Sequence, residues 1–115
     1  MAELLPQVLE ECRDGDAATL KLAIAPELPV FEGHFDDHPI VPGIAEVDWA
    51  LKFARTRLPV AGAFCGMAKL KFMRVIQPET MLTLTLDWQP GTLRFEYRDA
   101  RGACSEGELL FELPA

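Results

Sequence analysis

Residues 44–57 read as a helix that is apolar on nearly every side, and no other segment constrains the fold as strongly. Ile44, Val47, Leu51 and Ala54 form a stripe at helical spacing, and Trp49 and Phe53 make an i,i+4 pair on the other side. A helix of this kind is buried on several sides. In a chain of 115 residues that cover is most simply a sheet curved around the helix.

The flanking sequence supplies such a sheet. Residues 7–12 and 18–25 read as two strands joined at Asp14-Gly15-Asp16, a hairpin signal. Leu20, Leu22 and Ile24 share one face of the second strand. Pro26 and Pro29 end it, and Leu58-Pro59 ends the helix. Four more strands follow as a predicted meander. Residues 66–76 set Ala68, Leu70 and Phe72 against Lys69 and Lys71. In residues 81–88, Leu82, Leu84, Leu86 and Trp88 alternate with Thr83, Thr85 and Asp87. Leu93, Phe95 and Tyr97 then alternate with Arg94, Glu96 and Arg98, and residues 103–113 bring Leu109, Phe111 and Leu113 to one face. Period-two alternation with short turns predicts antiparallel pairing with one face buried. The expected architecture is α+β, one antiparallel sheet around one central helix, in a single domain over residues 1–115.

The net charge is −7, so there is no basic surplus to neutralise nucleic-acid phosphates. The first eleven residues hold three acids and no basic residue, unlike a signal peptide, and no stretch has the length and apolarity of a membrane span. Cys12, Cys65 and Cys104 are an odd, widely spaced set that suits reduced thiols in the cytoplasm; Cys65 and Cys104 read as small buried residues.

Chemistry concentrates just before the helix. His34 lies in a loop braced by Gly33, Pro39, Pro42 and Gly43, and Asp48 follows fourteen positions later. Gly43 marks the helix start, where backbone N–H groups lack intrahelical partners. His38, with Asp36 and Asp37, hints at a metal site, but Pro39 argues against the helical i,i+4 geometry such a site needs. No metal is expected.

In these residues the chain resembles the hot-dog fold 3-hydroxyacyl-acyl carrier protein dehydratases. That family's motif runs Gly-His-Phe-Pro-Gly, one variable residue, Pro, two more, Pro-Gly, then a helix with Glu or Asp at its fifth residue. Here Gly33-His34-Phe35, Pro39, Pro42-Gly43 and Asp48 stand at matching spacings. Residues 75–81 are similar to the family's strand-turn segment, and Asp48-Trp49-Ala50 is similar to the small dehydratases of aryl polyene biosynthesis. Two departures stand out. Asp36-Asp37 replaces Pro-Gly, and Lys52 replaces a Gln, within i,i+4 reach of Asp48.

The resemblance implies loss of water from a carrier-bound 3-hydroxyacyl thioester to give the trans-2-enoyl thioester. His34 is the candidate base, because imidazole titrates near working pH. The N–H groups of Gly43 and Ile44 are the candidate donors to the thioester oxygen. Gly43, having no side chain, admits the substrate closely. Asp48 is the candidate acid, and burial among Ile44, Val47 and Leu51 is expected to raise its pKa. Phe35, Pro42, Trp49, Phe64 and Met67, with Phe53, are candidate substrate contacts. Lys69, Lys71 and Arg74 are candidate contacts for an acyl carrier protein; Lys52, Arg55 and Arg57 add local positive charge. The resemblance further implies a homodimer with sites shared between subunits, and no cofactor beyond the carrier's phosphopantetheine. Two other readings remain: a hot-dog thioesterase using Asp48 to activate water, and a non-catalytic partner of another dehydratase subunit.

Overall fold

The structure, a computed structural model, describes residues 5–31 and 39–113. Strands β1 (Gln7–Asp14) and β2 (Ala17–Ala23) lead into a 3-10 turn, Pro29–Phe31. Helix α1 (Gly43–Arg57) follows, then β3 (Phe64–Phe72), β4 (Met81–Gln89), β5 (Thr92–Asp99) and β6 (Gly102–Phe111). The strands form one six-stranded antiparallel sheet in the order β1-β2-β4-β5-β6-β3.

That order corrects the predicted four-strand meander. Strands β4, β5 and β6 do form a meander, but β3 pairs with β6 and becomes an edge. Residues 73–80, partly read as strand, are instead a crossover. The N–H groups of Met73 and Arg74 donate to the Cys104 carbonyl, and farther along the Glu79 N–H donates to the Ile24 carbonyl at 2.6 Å. The chain thus leaves the β6 side and arrives beside β2. Local alternation carries no information about such a crossing, because both pairings satisfy it.

Period-two burial is clean where it was expected. Leu20, Leu22, Leu82, Leu84, Leu86, Leu93, Phe95, Tyr97 and Leu109 point into one core. Their partners on the other face are largely charged or Thr, so that face meets water. The Gln89-Pro90-Gly91 turn relies on Gly91 at φ +88°, a conformation that disfavours a side chain. Leu113 lies beyond β6 and is exposed, so it does not extend the inward row. Cys104 is buried as expected, but Cys65, on the edge strand, is exposed.

The helix is rotated from the predicted stripe. Its buried residues are Glu46, Trp49, Ala50, Phe53 and Ala54, whereas Ile44 is 80% exposed and Val47 and Leu51 are only half-buried. Turning the two aromatic rings inward buries more apolar surface than turning the aliphatic stripe inward. The aliphatic stripe is thereby left to line a groove.

Candidate active site

The start of α1 is held without a side-chain cap. Pro42 occupies the N-cap position in extended conformation, and its carbonyl accepts the N–H groups of Ala45 and Glu46 at 3.0 and 3.2 Å. Just upstream the Val41 N–H donates to the Ile76 carbonyl at 2.8 Å, fixing the entry to the helix. The N–H groups of Gly43 and Ile44 have no backbone or side-chain acceptor among the described residues. They stand at the positive end of the helix dipole.

A groove of about 390 Å³ opens beside them. Its helix side is Gly43, Ile44, Val47, Asp48 and Leu51, and its strand side is Phe64, Met67, Leu70 and Phe72 of β3. Strict alternation cannot turn 64, 67, 70 and 72 to the same side. Two register shifts in β3, between Phe64 and Gly66 and between Ala68 and Lys71, do so, and Lys69 takes φ +55° within the second. Phe64 and Met67, singled out from the sequence, line this groove. Trp49 and Phe53 do not, since both are 3% exposed and belong to the core. That corrects their reading as substrate contacts: the rotation that buries the aromatic pair takes it away from the groove.

Gly43 packs closely against the edge strand β3. A Cβ there would lie 2.9 Å from Cζ of Phe72, so the missing side chain makes room for that ring. Phe72 itself remains half-exposed at the groove wall.

Asp48 projects into the groove wall among Gly43, Ile44, Val47 and Leu51, but its side chain is 49% exposed. Its Oδ2 lies 3.0 Å from Nζ of Lys52. The desolvation expected for Asp48 is therefore not supplied by these residues alone, because Ile44 points to solvent and the groove is open on one side.

The buried acid of the helix is Glu46, which the sequence reading missed. It is 3% exposed, and Ser105 Oγ donates to its Oε1 at 2.5 Å. Its own backbone carbonyl accepts the Tyr97 hydroxyl at 2.6 Å. Burial pushes the Glu46 carboxyl up to about 7, against the pull of the Ser105 bond. Tyr97 is pushed well above its ordinary range, first by burial and then by the charges of Glu46 and Asp48. The signal was present as i, i+3, i+4, i+7 spacing of Glu46 with Trp49, Ala50 and Phe53, but the charge of Glu46 hid that register.

The basic residues are largely engaged. Arg74 makes a two-pronged pair with Asp99, at 2.6 and 3.2 Å, and donates to the Gly102 carbonyl at 2.7 Å. It ties the crossover to the β5–β6 turn, which corrects its reading as a free cation for a carrier protein. Lys69 faces Glu108 at 3.9 Å, and Lys71 pairs in register with Glu106, so acids of β6 offset the strip. Arg57 bonds to Glu11 and lies over the Phe53 ring, and Arg55 lies over Phe111. His34 and Phe35, with Asp36, Asp37 and His38, lie outside the described residues. Among the described residues, no group of three or more His, Cys, Asp and Glu side chains is placed to hold a metal ion.

The ApeI dehydratase family matches residues 10–108. The chain belongs to the ApeI-like dehydratase family. It is 30% identical over 114 residues to the 3-hydroxyacyl-[acyl-carrier-protein] dehydratase FabZ of Pelotomaculum thermopropionicum, covering 93% of this chain and 80% of that one. The FabZ of Caldanaerobacter subterraneus is 28% identical over 112 residues, with 91% and 78% covered. Among solved structures, the dehydratase heterocomplex ApeI:P from Xenorhabdus doucetiae superposes with a TM-score of 0.85 at 29% identity, covering 91% of this chain and 96% of that one. Membership accounts for the sheet curved around α1, which is the hot-dog fold.

Proposed function

We propose that this protein is a 3-hydroxyacyl-[acyl carrier protein] dehydratase. The observation that carries the reading is the groove itself: an apolar cleft with Asp48 in its wall and, at its end, two N–H groups with no partner among the described residues, in a chain of this family. The acyl group lies along Val47, Leu51, Phe64 and Met67. The thioester oxygen accepts from Gly43 and Ile44 N–H, which stabilise the charge that develops when the neighbouring carbon loses its proton. His34 takes that proton. The C–O bond at the third carbon breaks as Asp48 gives the departing hydroxyl a proton, leaving water and a trans-2 double bond. Lys52, 3.0 Å from Asp48, orients the carboxyl. Every step uses groups of the protein and substrate, with no resident cofactor.

The site is completed by a second subunit. Edge strand β3 has a free side among the described residues, and Phe64, Met67, Phe72 and Ile44 expose large apolar surface beside it. A second copy of the chain, or a related dehydratase subunit, covers this surface and brings Asp48 out of water. The acyl carrier protein meets the groove mouth, and the reaction belongs in the cytoplasm. No described helix is long and apolar enough to cross a membrane. The similarity to a subunit of a dehydratase heterocomplex, and the Asp48–Lys52 pair, favour a second reading in which full activity needs a different partner chain.

Intact-mass analysis of 3-hydroxyacyl-carrier protein, with wild type and with His34→Ala, tests this. Loss of about 18 mass units with wild type alone supports dehydration through His34. Release of free carrier thiol points to a thioesterase. No change with short, medium or aryl acyl groups, followed by turnover on mixing with a related subunit, selects the second reading.

A further inference from the structure

Glu46 and Ser105 are the two buried polar or charged side chains among the described residues, apart from Tyr97 and Cys104 of the core. The dehydration steps above use none of them. Yet they meet at one point, where the first turn of α1 crosses β5 and β6. Glu46 reaches the sheet twice, with its carboxyl to Ser105 of β6 and with its carbonyl to Tyr97 of β5. The same turn carries the Gly43 and Ile44 N–H groups, and Asp48 follows two residues later.

We propose that Glu46 is a positioning residue, whose bond to Ser105, with the Tyr97–carbonyl bond, fixes the first turn of α1 against the sheet and so sets where the groove donors and Asp48 stand. The proposal rests on the dehydratase reading for its catalytic consequence, but not for its structural one.

The surroundings make this hold dependent on protonation. Inward residues of β2 and β4 near the core are aliphatic: Leu20, Leu22, Leu82, Leu84 and Leu86. On β5 Glu46 meets Tyr97, a buried neutral phenol, and on β6 it meets Ser105 beside Cys104, whose thiol burial pushes up to about 11. On its own helix the charged neighbours are Asp48 and Lys52, already paired with each other. Arg74, the nearest cation toward Cys104, is held by Asp99. No cation among the described residues pairs with Glu46. The neutral acid sits well in this place and shares a short hydrogen bond with Ser105. The carboxylate keeps only the Ser105 donor in an otherwise apolar cage, so ionisation favours water entry or outward movement of the turn.

The test uses the full chain as wild type, Glu46→Gln and Ser105→Ala. Gln keeps the shape and the Ser105 bond and cannot ionise. One readout is hydrogen exchange of the Ala45 and Glu46 amides, which bond to Pro42, measured relative to the core amide of Leu84 from pH 6 to 8.5. The other is kcat and KM for dehydration over the same range. In wild type, first-turn protection relative to Leu84 falls about tenfold as pH rises, and kcat measured relative to that of Glu46→Gln falls with it while KM stays nearly level. Glu46→Gln keeps its first-turn protection over the range, and Ser105→Ala, which removes the bond, has lower protection than wild type at pH 6 and shows its further loss starting at higher pH. Parallel wild-type and Glu46→Gln profiles in exchange overturn the proposal, as does loss of protection that Leu84 shares equally. If no variant turns over substrate at any pH, the dehydratase reading fails, and amide exchange decides the positioning role on its own.

Discussion

Replacing Glu46 by Gln should change how stability depends on pH far more than it changes the structure. In the folded protein burial raises the Glu46 carboxyl from its ordinary 4.5 to about 7. The folded state therefore binds more protons than the unfolded state between these values. Stability from this group is fully present below about pH 4.5, declines as pH rises, and is lost above about pH 7. At about 1.4 kcal/mol per tenfold change in proton affinity, the full loss is about 3 kcal/mol. That is a large fraction of what holds a small domain together. Urea unfolding at fixed protein concentration, at half-unit steps from pH 5 to 8.5, measures it. Wild type should lose about 2.5 kcal/mol over this range relative to Glu46→Gln, the remainder being gone already at pH 5, with the variant less stable or equal at pH 5 and more stable at pH 8.5. A constant difference across the range would refute the reasoning, because it would mean that the Glu46 carboxyl has the same proton affinity folded and unfolded.

Three further outcomes are expected. Gly43→Ala should cost about 1 kcal/mol through contact with the Phe72 ring, and a double-mutant cycle with Phe72→Ala should remove that cost; additive effects would show that the ring is not the obstacle. Trp49→Ala should destabilise by about 3–5 kcal/mol, read by thermal or urea unfolding, whereas a groove residue such as Met67→Ala should change acyl preference at much smaller cost in stability. Asp99, held down to about 2 by the bond from Arg74, stabilises the fold above its ordinary 3.8 and loses that effect as pH falls toward about 2. Asp99→Asn should remove this acid-side increment of about 1 kcal/mol after solvent screening, as followed by urea midpoints from pH 5 to 2.5.

Elements built on local periodicity were legible in the amino-acid sequence. The inward rows on β2, β4 and β5, the hairpin at Gly15, and a helix too apolar to stand alone follow from side-chain spacing and turn chemistry. The spacing of Gly33-His34-Phe35, Pro42-Gly43 and Asp48 was enough to point to the family, and the structure sets Gly43 and Asp48 in one groove. Three things depended on the tertiary fold. The pairing of β3 with β6 is decided by a crossover that local alternation does not record. The face of α1 that meets the core is decided by competition between an aliphatic stripe and an aromatic pair, both at helical spacing; the larger rings win the interior and leave Ile44 to the groove. The opposite fates of two acids on the same helix follow from that rotation. Asp48 emerges beside Lys52 in water, and Glu46 enters the core, where a residue distant in sequence, Ser105, supplies its partner. A carboxyl's protonation depends on the dielectric and donors around it, and those are set by chain segments that meet only when the sheet closes over the helix.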